Sequence, residues 1–206
     1  MNQAKAHYFD SQATAPWAVD PFPSKDRPKI ARLPTAAEIQ PGMHVLEPGC
    51  GTGRLTGILA EAVGPHGRVL ALDISAAMAP ACRDRIGERT NVRALQAAIE
   101  DCAVEPDSFD VVVCHQVIPH FDDPRVALAT ITRGLKPGGR LVVVHFAPAA
   151  MINEIHRTAA PPIRQDRLPL PERMRALLME AGLVVDWCTE DPLGYLIRGT
   201  RKKILE

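Results

Sequence analysis

The residues most able to do chemistry lie in Val45-Leu46-Glu47-Pro48-Gly49-Cys50-Gly51-Thr52-Gly53-Arg54-Leu55. Two aliphatics and an acid lead into three glycines at alternate positions. Leu55, Ile58, Leu59, Ala62 and Val63 then recur at helical spacing. A strand, a glycine loop and a helix are therefore expected. The start of that helix leaves free N–H groups facing the loop, and glycine lets a ligand approach the backbone closely. A second strand, Val69-Leu70-Ala71-Leu72, closes on Asp73, an acid placed to accept both hydroxyls of a ribose. The pattern predicts a small-molecule site.

A dinucleotide fingerprint requires G-x-G-x-x-G. Here Arg54 stands where its third glycine belongs, and the glycine falls at Gly53. The Glu47-x-Gly49-x-Gly51-x-Gly53 spacing, with Asp73, resembles motif I and the second acidic motif of the class I S-adenosyl-L-methionine (SAM)-dependent methyltransferases, of the small-molecule type 11 kind. Ser108-Phe109-Asp110-Val111-Val112-Val113 and Leu135-Lys136-Pro137-Gly138-Gly139-Arg140-Leu141 resemble later motifs of the same family. The resemblance covers about residues 41–146.

It implies an α/β fold: a Rossmann-like three-layer sandwich with a seven-stranded, mostly parallel sheet in the order 3-2-1-4-5-7-6, the last strand antiparallel. It implies SAM as cofactor, S-adenosyl-L-homocysteine as product, and a small-molecule acceptor. It assigns Glu47 to the amino group of the methionine portion, Gly49, Gly51 and Gly53 to the wrap around that portion, and Asp73 to the ribose. Ile74 and Met78 would pack on adenine, though both also suit a core. Glu47 equally suits a loop-stabilising acceptor. The family often places an Asp after strand three to accept from the adenine amino group; Ala98 stands there. Ile99 can offer its backbone N–H, and Glu100 or Asp101 can supply a carboxylate after a small shift.

Methyl transfer needs alignment of a nucleophile and exclusion of water, and a base only if the nucleophile arrives protonated. The candidate bases are His115 after strand four, His120 in the following loop and His145 after strand five. His115 also suits packing on the cofactor, His120 loop hydrogen bonding and His145 a buried core position. His156 follows on the next helix. No HxH, HxxxH or paired cysteine accompanies them, so no metal site is expected.

The elements that position these groups read as follows. Helices are expected at 54–63, from the cap Ser75 to about Arg89, from Asp123-Pro124 to Gly134, at 149–157 and at 172–181. Strands are expected at 43–47, 68–72, 92–96, 109–114, 141–144, 183–188 and 194–198, with a turn at Lys136-Pro137-Gly138-Gly139. The resemblance implies a SAM-binding domain over residues 41–206, with 147–171 a candidate substrate lid over the carboxyl ends of the strands. Six prolines in residues 1–42 interrupt any long helix there. Residues 1–40, anchored by His7-Tyr8-Phe9-Asp10 and Trp17, resemble the arm that often covers the cofactor. A ragged extension with a few pinned aromatics fits the same composition.

The chain has 206 residues, 46% of them hydrophobic, and formal net charge zero. One domain with a sizeable core is expected, and a nucleic-acid partner is not. Arg201-Lys202-Lys203 reads as a solvated strand end. The five cysteines include no CxxC pair, and no signal peptide or membrane-length run is present. A cytoplasmic monomer or homodimer is expected. Two other functions remain open: a non-catalytic SAM-binding sensor or subunit, and an NAD-linked oxidoreductase.

Overall fold

A computed structural model describes residues 1–203. Seven strands form one sheet in the order β3-β2-β1-β4-β5-β7-β6. They are β1 (His44–Pro48), β2 (Arg68–Asp73), β3 (Val92–Gln96), β4 (Phe109–His115), β5 (Leu135–His145), β6 (Leu183–Asp191) and β7 (Gly194–Arg201). The first five run parallel, and β7 is antiparallel to both β5 and β6. Strand order, polarity and the terminal hairpin agree with expectation.

Helices cover both faces, which is why the central strands are apolar on both sides. Val111 and Val113 of β4 belong to one buried cluster, and Val112 and Cys114 to the other. β5 splits in the same way, Val142 and Val144 against Leu141 and Val143. One layer is supplied by α4 (Arg54–Val63) through Leu55, Leu59 and Val63, beside Leu33 of α3 (Arg27–Ala37). The other is supplied by α6 (Pro124–Gly134) through Leu128 and Ile131, and by α9 (Pro171–Glu180) through Met174 and Leu178. Asp123 caps α6, accepting from the backbone N–H groups of Arg125 and Val126.

Three local expectations change. The predicted turn at 136–139 is part of β5. Leu135 pairs with Phe109, Arg140 pairs with Val111, and the register slips between them. Gly138 takes a positive φ of 82° at this irregularity. The helix after Ser75 is shorter than expected, α5 (Met78–Ile86), and ends at Gly87. Ser75 Oγ still accepts from Met78 N–H at 2.9 Å. The N-terminal segment, where proline density masks helical pattern, holds α1 (Gln3–Gln12), α2 (Pro16–Val19) and α3.

Pro34 sits inside α3, where it removes one helical hydrogen bond. Burial of Leu33, Ala36 and Ala37 offsets that loss. Two helices complete the chain before α9: α7 (Ala149–Arg157) and α8 (Pro161–Arg164). No helix among the described residues is long and apolar enough to cross a membrane.

Replacing Pro34 with Ala restores the missing N–H. It is expected to raise stability by roughly 2 kcal/mol, read as a higher urea midpoint at unchanged slope.

Candidate active site

The sheet's topological switch lies between β1, whose chain continues toward β2, and β4 on its other side. Ligands of open α/β sheets bind beyond the carboxyl ends at such a point. A cavity of about 380 Å³ opens there. It is bounded by the glycine loop, the ends of β2, β4 and β5, the N-terminal helices and α7–α8.

The loop is held from below. The carbonyl of Leu72 accepts from Gly49 N–H at 2.7 Å and Cys50 N–H at 2.9 Å. Asp73 accepts from Gly51 N–H at 2.8 Å and Ser75 N–H at 2.9 Å. Burial pushes the Asp73 carboxyl above its ordinary range, and these two N–H bonds oppose the shift. Gly49, Gly51 and Gly53 all have positive φ. Their surroundings differ. A Cβ on Gly49 would stand 2.3 Å from Val117 Cγ2, and one on Gly53 2.8 Å from Cys82 Sγ. A Cβ on Gly51 would meet nothing within 4 Å.

Glu47 and Gly53 are set behind the cavity wall rather than on it. Glu47 is 1% exposed and accepts from Thr56 Oγ1 at 2.6 Å. Burial pushes its carboxyl up to about 8. Gly49, Gly51, Asp73, Ile74, Met78, Ala98, Ile99, Glu100 and His115 do line the cavity. At the Ala98 end, Glu100 accepts from Asp122 N–H at 2.9 Å. Asp101 is drawn away to the N-terminal amine and is not on the wall.

The three predicted bases sit in unlike surroundings. His115 packs between Phe22 and Phe146, with ring centroids at 5.8 and 4.7 Å. Its Nε2 lies 3.1 Å from the Gln116 side-chain amide. Burial, with a further push from the Arg54 charge, takes its pKa down to about 3. His145 is 1% exposed, and its Nε2 has no partner among the described residues. Burial holds its pKa well below the ordinary histidine value. An imidazole that cannot keep a proton is a poor base. His120 differs: its Nδ1 is 2.7 Å from Asp166 Oδ2. His156 joins it, with ring centroids 5.0 Å apart and Nδ1 3.2 Å from the Asp166 carbonyl.

Several lining residues were not legible in the sequence. Phe22 and Arg54 stack, with the guanidinium 3.9 Å from the ring centroid. Arg54 also donates to the Trp17 carbonyl, and its Nε is buried without a partner among the described residues. Thr52 donates to the Ala18 carbonyl, and Arg85 bridges the Thr52 and Val19 carbonyls. Asp10 accepts from Ser75 Oγ at 2.6 Å and Ala77 N–H at 3.0 Å. The segment before α3 is thereby fastened to the glycine loop and to the start of α5. Ile152, Ile155 and Ile163 form an apolar wall opposite. No cluster of three or more His, Cys, Asp or Glu side chains suited to a metal occurs among the described residues.

Residues 46–143 match the family described as a methyltransferase domain. Over that stretch, just under half of the chain, it is similar to the methyltransferase domain whose class I, SAM-dependent motifs it resembles. The chain is 34% identical over 160 residues to the malonyl-[acyl-carrier protein] O-methyltransferase of Paenibacillus sp. (strain JDR-2), covering 71% of this chain and 57% of that protein. It is 34% identical over 123 residues to the ubiquinone/menaquinone biosynthesis C-methyltransferase UbiE of Idiomarina loihiensis, covering 57% and 49%. The chain thus spans about half the length of the curated relatives it matches.

Among solved structures, a SAM-dependent methyltransferase from Aquifex aeolicus superposes with a TM-score of 0.67 at 20% identity, over 97% of both chains. The 1,6-didemethyltoxoflavin-N1-methyltransferase of Burkholderia thailandensis superposes with a TM-score of 0.70 at 22% identity, over 97% of this chain and 87% of that one. These structures share the fold of the methyltransferase domain.

The cavity fits SAM, the cofactor of this family, on three grounds. Gly51 leaves open space where any side chain would intrude. Asp73 offers a carboxylate at the ribose position of the fold. The orphaned Arg54 Nε offers a donor beside the loop.

The raised pKa of Glu47 has a measurable consequence. Stability from the protonated form is fully present below the ordinary value of 4.5 and is lost as pH rises through about 8. In cofactor-free protein, the unfolding free energy relative to Glu47→Gln is expected to fall across that window, checked by urea titration at several pH values.

Proposed function

We propose that this chain is a SAM-dependent methyltransferase whose acceptor is a small, largely apolar molecule. The observation that carries this reading is the shape of the cavity. The glycine loop and Asp73 line it together with the isoleucines of α7 and α8, so both sets of groups share one cavity. A cavity of this size suits a small ligand rather than a macromolecule. The matched relatives support the reaction class, one named for ubiquinone/menaquinone biosynthesis and one for a malonyl group on an acyl-carrier protein.

SAM supplies an electrophilic methyl on a sulfonium and leaves as S-adenosyl-L-homocysteine. The chain's residues bind, orient and exclude water. Asp73 would accept from the ribose hydroxyls, and Gly49 and Gly51 would lie against the methionine portion. Arg54 would pair with its carboxylate through the free Nε. Glu47 would act at one remove, through Thr56 and the loop above it. Ile74, Met78, Ala98 and Ile99 would enclose the adenine, with Glu100 and Asp122 at its polar edge. Residues 1–40 would serve as the cofactor's cover, because Tyr8, Phe9, Trp17 and Phe22 line the same cavity. Residues 147–171 would cover the acceptor.

Calorimetric titration with SAM, and S-adenosyl-L-homocysteine release across a panel of small hydroxylated and amine acceptors, tests this. Binding with turnover on at least one acceptor is expected. Binding without turnover would favour a sensor, and preference for NAD would overturn the reading. Asp73→Ala is expected to weaken SAM binding about 10- to 100-fold, matching the loss of charged hydrogen bonds worth roughly 1.5–3 kcal/mol.

A further inference from the structure

Asp166, a residue between α8 and α9 with no sequence signal, ties together three separate parts of the cavity wall. It is 8% exposed. Its Oδ2 takes His120 Nδ1 at 2.7 Å, from the loop after β4. Its Oδ1 takes Lys5 Nζ at 2.9 Å, from α1. Its backbone carbonyl takes His156 Nδ1 at 3.2 Å, from α7. Lys5 Nζ also donates to the His120 carbonyl at 3.1 Å and lies 3.4 Å from Asp122.

A carboxylate accepts, so the His120 proton sits on Nδ1. In the neutral ring that leaves Nε2 with a lone pair, and it has no protein partner among the described residues. The His156 bond to a carbonyl forces the same tautomer there. Both rings line the cavity, beside Ile152, Ile155 and Ile163. In their neutral forms both rings therefore carry an Nε2 lone pair beside an apolar wall. Of the cations beside it, Lys5 is paired with Asp166, and Arg167 donates to the backbone carbonyls of Arg164 and Asp166.

These features sort the possible acceptors. A carboxylate would need a cation, and Lys5 and Arg167 here are already engaged by Asp166 and by backbone carbonyls. A neutral amine carries its own lone pair and needs no base. An apolar molecule with a weakly acidic hydroxyl needs a lone pair to take its proton, and this wall provides one.

We propose that His120 is the general base for an apolar phenol or enol, with Asp166 and Lys5 as the positioning residues. This rests on the methyl-transfer reading above. The hydroxyl proton passes to His120 Nε2, and the O–H electron pair stays on oxygen. The imidazolium is stabilised by Asp166. The oxygen then forms its bond to the methyl carbon as the S–CH₃ bond breaks and its electrons stay on sulfur. The titratable and charged groups facing His120 are Asp166 beyond α8, Lys5 on α1, His156 on α7, Asp122 on its own loop, and Asp73 and His145 at the ends of β2 and β5.

The test uses the full chain saturated with S-adenosyl-L-homocysteine, so that no transfer occurs. A nitrophenol is titrated in at a pH where the free phenol is mostly protonated. The wild type is expected to show the phenolate absorbance on binding. His120→Gln, which keeps the Lys5–Asp166 pair, is expected to bind without it, and Asp166→Asn to show less of it. With SAM present, His120→Gln is expected to lose about 10²–10⁴-fold in turnover on weakly acidic phenols. That loss should shrink toward parity as the phenols grow more acidic.

Equal phenolate absorbance in wild type and His120→Gln would overturn the base assignment, as would a turnover loss independent of phenol acidity. Failure of any phenol to bind while S-adenosyl-L-homocysteine binds would overturn the acceptor class alone. Failure of S-adenosyl-L-homocysteine to bind the wild type would instead remove the methyl-transfer reading beneath it.

Discussion

The site depends on how the end of β2 shapes the loop after β1. One carbonyl, that of Leu72, receives two N–H groups, and the next side chain, Asp73, receives a third from Gly51. These bonds bend the chain sharply enough that three glycines with positive φ are needed. They also leave Asp73 buried at the cavity edge, its oxygens accepting from the backbone N–H groups of Gly51 and Ser75. A buried carboxylate is costly unless it is bonded. The loop lowers that cost while remaining open to a ligand. Moving β2 against β1 would displace both halves of the site together.

Much of this was legible in the sequence because it is local. Strand and helix periods, the Asp123-Pro124 cap and the glycine spacing each concern neighbours in the chain. The sheet order followed from the resemblance carried by those same motifs. Lys136–Gly139 misled because proline and paired glycines usually mark a turn. Here pairing of Leu135 with Phe109 extends the strand, and the irregular register absorbs the glycines.

The α7–α8 end of the cavity was not legible, since its contacts join distant segments. Lys5 and Asp166 are 161 positions apart, and neither sits in a motif. The histidines were visible as types, but type does not reveal environment. His115 and His145 lie at strand ends, where burial disfavours their charged forms. His120 lies one loop away and meets a carboxylate. Arg54 was visible only as the residue that broke a dinucleotide fingerprint. Its role beside the loop depends on Phe22 and Trp17, which approach from the N-terminal segment.

The junction at Asp166 has a consequence for traffic. Helix α1 and the α7–α8 segment meet across it, so parting them to admit a molecule also separates Lys5 from Asp166 and strains the hold on His120. Any movement of α1 is thereby felt at the His120–Asp166 pair through the Lys5 ion pair.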